Sequence, residues 1–145
     1  ADLSAVECLL KDDWEKVNAR NWCMGAHLTA LAAFTGLPFG NIAGPLIVWL
    51  IKRNEIPLVD EHGKRAINFQ ITLTIPAFIV IGICIFTIIY GASTDQPVFF
   101  MGGFIANAIL TTLIGLYGLV MMCMAAYKVH KGEDFQYFPS IRFLS

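Results

Sequence analysis

Apolar residues group into long runs along this chain, and polar or charged residues separate the runs. Neither residues 67–90 nor residues 98–127 contain Asp, Glu, Lys or Arg. Each run exceeds the roughly 20 residues that an α-helix needs to cross a bilayer. We therefore predict two transmembrane helices, at about 67–90 and 98–127, joined by a short polar turn.

An earlier apolar run, from 22 to 51, is too long for one straight span, because it would reach about 45 Å against a hydrocarbon core of about 30 Å. Its middle, residues 36–41, reads Gly-Leu-Pro-Phe-Gly-Asn, which is typical of a chain reversal. This predicts a helical hairpin with arms at about 22–35 and 41–51. The arms are short, so the hairpin either re-enters the membrane from one side or thins the bilayer.

The first 21 residues predict an amphipathic helix outside the membrane, because their apolar positions recur every three or four residues. These positions are Leu3, Val6, Leu10, Trp14 and Val17. The polar face fits a helix on a membrane surface or a partner, and equally a solvated cover on the bundle. The acidic N-terminus lacks the basic and apolar regions of a secretory signal, so we expect no cleaved leader.

Together these elements predict an all-α membrane protein whose four segments form a helical bundle. The bundle consists of the short hairpin and the two full spans, within a membrane domain at 22–131. An amphipathic cytoplasmic or interfacial helix, 1–21, precedes this domain, and an extended cytoplasmic tail, 132–145, follows it.

The basic residues predict the orientation, since Lys and Arg stay on the cytoplasmic side of short loops. All ten lie in the N-terminal part, the central loop or the C-terminal tail, and none lies in the turns at 36–41 and 91–97. Four segments with both termini cytoplasmic, in a bacterial inner (plasma) membrane, satisfy this pattern. A three-span arrangement ranks second, because it leaves the basic N-terminal part outside.

Composition supports a lipid environment. The chain has 145 residues, enough for one domain, with 57% hydrophobic and only 14% charged residues. The net charge of -1 argues against a nucleic-acid partner, which would require a clustered basic surface. The expected partners are the lipid bilayer and either other membrane-protein subunits or further copies of the chain itself.

Small and polar residues within the apolar runs are candidates for helix packing. The small residues are spaced by four, which lets membrane helices approach closely, although two of the glycines serve a turn equally well. Asn107 must find a partner across a helix interface. The predicted packing residues are Ala32, Gly36, Gly40, Gly44, Asn107 and Gly115.

Polar residues also cluster where the central loop enters the third segment, with Asp60 placed as the helix cap. They suit either a functional site or an anchor in the headgroup region, and the anchor is the favoured interpretation. The cluster consists of Asp60, His62, Asn68 and Gln70.

Soft side chains near the inner membrane face are weak candidates for a metal site, because no recognised zinc spacing occurs. They are Cys23, His27, Cys123 and His130. No nucleophile with an adjacent base and no phosphate-binding loop is found, and all acidic residues lie outside the spans. We predict no bound metal, no cofactor and no enzymatic activity.

Several runs resemble a bacterial family of small membrane proteins of unknown function. That family is related to the twenty-kilodalton import subunit, Tic, of the chloroplast inner envelope. The resembling runs are 26–31, 38–52, 59–62, 68–70 and the tail residues Gly132, Glu133, Tyr137, Pro139, Ile141 and Arg142. The resemblance implies about four membrane helices with both ends on one side, and by analogy with the plant relatives a part in protein import.

Three functions follow as hypotheses. The first is a non-enzymatic accessory or assembly subunit of a larger inner-membrane complex. The second, from the resemblance, is a homo-oligomeric pore or protein-translocation component. The third is a metal- or redox-binding membrane protein.

Overall fold

Helices dominate the computed structural model, which describes residues 3–35 and 39–145 and contains no strand within those ranges. Helix α1 (Leu3–Leu28) continues into a 3-10 helix (Thr29–Thr35), and α2 (Gly40–Lys52), α3 (Pro57–Ser93) and α4 (Pro97–His130) follow. The last residues, 131–145, are irregular. The predicted all-α membrane bundle is confirmed, and α3 and α4 are long and apolar enough to cross a membrane.

Helices α3 and α4 form an antiparallel hairpin. Both begin with a proline at the first helical turn, where its missing N–H removes no intrahelical bond. A side chain at Gly91 would place its Cβ 2.9 Å from the backbone nitrogen of Phe100, so the helices are tightly packed beside their turn. Farther from the turn, the Asn107 side-chain amide donates to the Val80 carbonyl at 2.8 Å. Both contacts bind the two spans to each other.

The end of α1, the 3-10 helix and α2 form a second, shorter hairpin. Gly44 lies directly against the Thr29 backbone, and the Lys52 ammonium lies 5.2 Å from the centre of the Trp22 ring. Helix α2 therefore runs back along the preceding chain. At the tip, Phe39 adopts a left-handed backbone conformation with φ of 59°, and its ring lies 6.2 Å from that of Phe78.

The tip of this shorter hairpin lies beside the middle of α3, because Phe78 is near the centre of the charge-free stretch 66–94. Helix α2 has 13 residues and is about 20 Å long. It is too short to match α3 along its length. Of the predicted turn glycines, Gly36 lies outside the described residues, and Gly40 is the first residue of α2.

The core lies at the end of the bundle that carries the charged residues, where all four helices and the C-terminal segment meet. One buried cluster comprises Cys23, Ala26, Val48, Val59 and Val129. A second comprises Phe69, Ala125, Phe135 and Tyr137. Residues 7–18 of α1 are exposed on every side, and the half of α3 and α4 nearest their turn stands as a two-helix hairpin.

Candidate functional site: a polar network at the charged end

The first turns of α3 hold α2 in place through Asp60. Its carboxylate accepts a hydrogen bond from the Trp49 indole at 2.7 Å and pairs with Lys64 at 2.9 Å. The Lys64 and Trp49 hydrogen bonds hold the pKa of Asp60 below its usual range. The predicted cap role is wrong, because α3 begins at Pro57 after Ile56 and no side chain caps it. Asp60 instead connects two helices.

His27 lies at the centre of a buried chain of hydrogen bonds that joins three parts of the protein. The Tyr137 hydroxyl lies 2.8 Å from Nδ1 of His27, and Nε2 of His27 lies 3.2 Å from Nδ1 of His62. All three side chains are buried. Helix α1, helix α3 and the C-terminal segment therefore meet through two side-chain hydrogen bonds, both of which involve His27.

The protons of this chain have two neutral arrangements. In one, Tyr137 donates to His27, which donates to His62. In the other, every bond is reversed. Burial lowers the pKa of His62, and the positive charge of Arg65 lowers it further. The neutral chain is therefore favoured, and its two hydrogen bonds hold α1, α3 and the C-terminal segment together.

Arg65 connects α3 with the C-terminal segment beside the histidines. Its guanidinium pairs with the carboxylates of Glu61 and Asp134 and donates to the Phe135 carbonyl at 3.0 Å. The hydrogen bond from Arg65 holds the pKa of Asp134 below its usual range. The guanidinium therefore pairs with two acidic groups and fixes the start of the segment.

Asn68 binds the end of the same segment through three backbone groups. Its carbonyl oxygen accepts from the backbone N–H groups of Phe143 at 3.1 Å and Leu144 at 2.8 Å. Its amide donates to the Leu144 carbonyl at 3.0 Å. The Asn68 side chain thus makes hydrogen bonds to backbone N–H and C=O groups that a neighbouring strand would make in a sheet.

Gln70 lies on another side of α3, beside α2. Asn41 of α2 donates to the Gln70 side-chain oxygen and to the Thr74 hydroxyl, both at 3.3 Å. These three residues are the polar members of a mainly apolar groove of about 390 Å³, whose lining also includes Gly115 and Met122. The polar entry cluster therefore divides between two places, because Gln70 lies away from the histidines.

The family of this chain is shown by its match to one protein-family model. The model of the magnetosome magnetite crystal formation protein family, MamF/MmsF, matches residues 18–144. The chain belongs to that family. The matched MamF/MmsF region contains both hairpins, the whole histidine network and nearly all of the C-terminal segment, and it leaves out residues 1–17 and Ser145.

Membership of the MamF/MmsF family corrects the expected resemblance. The chain is not assigned to the family related to the chloroplast import subunit, and a role in protein translocation has no support. The pore hypothesis rested on the same resemblance and loses its basis. No curated protein and no solved structure matches the chain. The family makes it a membrane-associated magnetosome formation protein.

The weak metal candidates of this MamF/MmsF chain occupy different surroundings. Cys23 and His27 are buried in the bundle, whereas Cys123 and His130 are exposed on α4. No three His, Cys, Asp or Glu side chains in the described ranges 3–35 and 39–145 form a group that could hold a metal ion. His27 uses both ring nitrogens in the hydrogen-bonded chain.

The predicted packing residues also differ in their surroundings. Gly44 lies against Thr29, Ala32 lies within the 3-10 helix, and Asn107 joins the two spans. A side chain at Gly115 would meet nothing within 4 Å. Gly115 therefore lies on an open face of α4.

The site contains residues that the sequence analysis did not assign to it, above all Tyr137, Arg65 and Asp134. They were missed because the C-terminal segment has no helical periodicity to predict where it packs. The sequence did contain a signal for the contact between α2 and α3. It is Gly63, where a Cβ would lie 2.7 Å from the Trp49 ring. A glycine inside a helix often marks such a close approach.

Proposed function

We propose that the chain is a non-enzymatic accessory or assembly subunit of the magnetosome membrane, and that it acts in magnetite crystal formation by associating with other membrane proteins or with copies of itself. The family supports the setting. The open faces of α3 and α4 carry the argument for association.

Three glycines on these helices, Gly82, Gly102 and Gly115, would meet nothing within 4 Å if each gained a Cβ. All three are exposed within the spans. Small residues on a membrane-facing helix surface let a second helix approach closely, which is the usual basis of helix association in lipid. The glycines would therefore suit a contact with another protein.

The proposed orientation has both termini on the cytoplasmic side, in the bacterial inner membrane or a membrane derived from it. The basic residues support this, because Lys64, Arg65, Lys128 and Lys131 lie at the same end of the two spans and positive charge is retained in the cytoplasm.

Mild-detergent purification of the tagged protein from magnetosome membranes tests the association. The expected result is an assembly heavier than one chain, containing other membrane proteins or several copies. Gly115→Leu should reduce that assembly by about tenfold, because a leucine would hold the second helix away. Ile105→Leu is the matched control, since it keeps an exposed apolar side chain on the same helix.

A second readout tests the cellular role. Cells lacking the chain should form magnetite crystals of altered size or number in electron micrographs, and the Gly115→Leu variant should not restore them. Recovery of a single chain without companions, from cells whose crystals do not depend on it, would refute the proposal.

A further inference from the structure

The C-terminal segment, residues 133–145, runs from the charged end of the bundle along the spans and then returns toward that end. It starts at Arg65, which pairs with Asp134, and returns to Asn68, which binds Leu144. Between these points the Phe138 carbonyl accepts a hydrogen bond from the Tyr117 hydroxyl of α4. The part of the segment that lies farthest from the charged end of the bundle is therefore next to Tyr117.

Tyr117 lies deep along α4. It precedes Lys128, the first charged residue at this end of the helix, by eleven positions, which is about 16 Å along the axis. The charge-free stretch 96–127 is about 48 Å long against a hydrocarbon core of about 30 Å. With the excess shared between both ends, Tyr117 lies within the hydrocarbon core, below the lipid headgroups.

Several backbone groups of the segment have hydrogen-bond partners on the span helices. Non-helical backbone within a membrane is tolerated where protein groups satisfy its polar atoms. The Ile141 N–H donates to the Thr72 hydroxyl at 2.9 Å, Pro139 has no N–H, and the Phe138 carbonyl is bound by Tyr117. Asn68 binds Phe143 and Leu144 as described above. The span helices thus supply side chains to an irregular chain.

The side chains of the segment divide by polarity. Phe138, Ile141 and Phe143 are exposed by 80, 54 and 50% respectively. Gln136, Ser140 and Arg142 instead line a cleft of about 420 Å³ that also contains charged residues of α3. Water would disfavour the three large apolar side chains at this exposure, whereas acyl chains would solvate them.

From this path, pairing and polarity we propose that residues 133–145 form a re-entrant loop that dips into the membrane leaflet on the charged side of the bundle and places Phe138, Ile141 and Phe143 against lipid acyl chains. The occupant of this surface is the bilayer in which the protein resides. Arg142 lies near the returning end, where its long side chain reaches the headgroups.

Nitroxide labelling of the whole chain in phospholipid vesicles tests the depth. The background replaces Cys8, Cys84 and Cys123 by serine and keeps buried Cys23. In one variant the label is placed by Phe138→Cys. A water-soluble nickel complex, present on both sides of the membrane, should reach the Phe138→Cys label about tenfold less than a label at Glu133→Cys, because the charged complex is excluded from hydrocarbon. Oxygen, which concentrates in acyl chains, should reach it more.

The control label at Glu133→Cys lies at the exposed start of the same segment, so both labels report on one loop. Equal access of the nickel complex to the two labels, in protein with full helix content, would overturn the proposal. A Phe138→Cys label that neither reagent reaches would also overturn it, because that side chain would then contact protein instead of lipid.

Discussion

Close packing at single glycines decides how the shorter hairpin fits together. Gly44 leaves room for the Thr29 backbone, and Gly63 leaves room for the Trp49 ring. The spacing of small residues in the sequence marked Gly44 as a packing residue, because that signal needs only composition and register. It did not mark Gly63, since only the fold brings Trp49 across from α2.

Gly44→Ala should destabilise the protein by about 1 to 3 kcal/mol, because the new methyl group overlaps the Thr29 backbone and rigid backbone cannot move aside cheaply. The measurement is the midpoint of thermal unfolding in detergent. Gly25→Ala is the matched control, as its Cβ would meet nothing within 4 Å, and it should be neutral or stabilising by up to about 1 kcal/mol. An unchanged midpoint for Gly44→Ala would contradict the packing described here.

At the scale of elements, the histidine network joins parts of the chain that the sequence presents as separate. Helix α1 runs through Trp22 without interruption, so its exposed residues and its buried residues belong to one continuous helix. Its His27 meets His62 of α3 and Tyr137 of the C-terminal segment. The tail thereby becomes part of the bundle.

Stability should fall when the pH drops below about 6.5, the ordinary pKa of histidine. The pKa of His62 is lowered in the folded state, so the unfolded chain binds the proton first and acid favours unfolding. The groups that act on His62 are Arg65, Asp134 and Glu61, with His27 as its hydrogen-bond partner. The midpoint of thermal unfolding should be level above pH 7 and decrease toward pH 5.

His62→Gln should remove part of that decrease, since glutamine can keep a hydrogen bond without titrating in this range. His130→Gln is the control, because His130 is exposed at the end of α4, and it should keep the wild-type pH profile. Asp60 and Asp134 have lowered pKa values, so they lose their contribution only near or below their ordinary value of 3.8 and do not obscure the histidine range. A midpoint that stays constant down to pH 5 would refute this account.

At the scale of the whole molecule, the two ends of the bundle differ. The charged end contains four helices and the C-terminal segment, and the other end is the hairpin of α3 and α4 alone. The shorter hairpin stops beside Phe78. We propose that both termini lie on one side of the membrane, with two complete crossings and one partial one.

A thiol reagent that cannot cross membranes should therefore distinguish two turns of the chain. In the background without exposed cysteines, Gln96→Cys should react from the side opposite the termini, because it lies in the exposed turn between the spans. Phe39→Cys should not react from that side, because the proposed topology places it beside Phe78, midway across the bilayer. Lys11→Cys, on the exposed part of α1, is the control for the side of the termini. Reaction of Phe39→Cys together with Gln96→Cys would mean that the shorter hairpin crosses completely.

The amino-acid sequence alone determined the class of this protein and its two long apolar helices, because length and hydrophobicity act locally and additively along a helix. It also predicts a shared side for the basic residues. It also located the turn region of the shorter hairpin. It led to the wrong relative, since short apolar runs with glycine and proline recur in unrelated membrane proteins. Only the tertiary structure decided how deep that hairpin reaches, which partner Asp60 takes and where the C-terminal segment lies. These depend on contacts such as Asn68 with Leu144 and His27 with Tyr137, whose partners are far apart in the chain and leave no periodic signal in it.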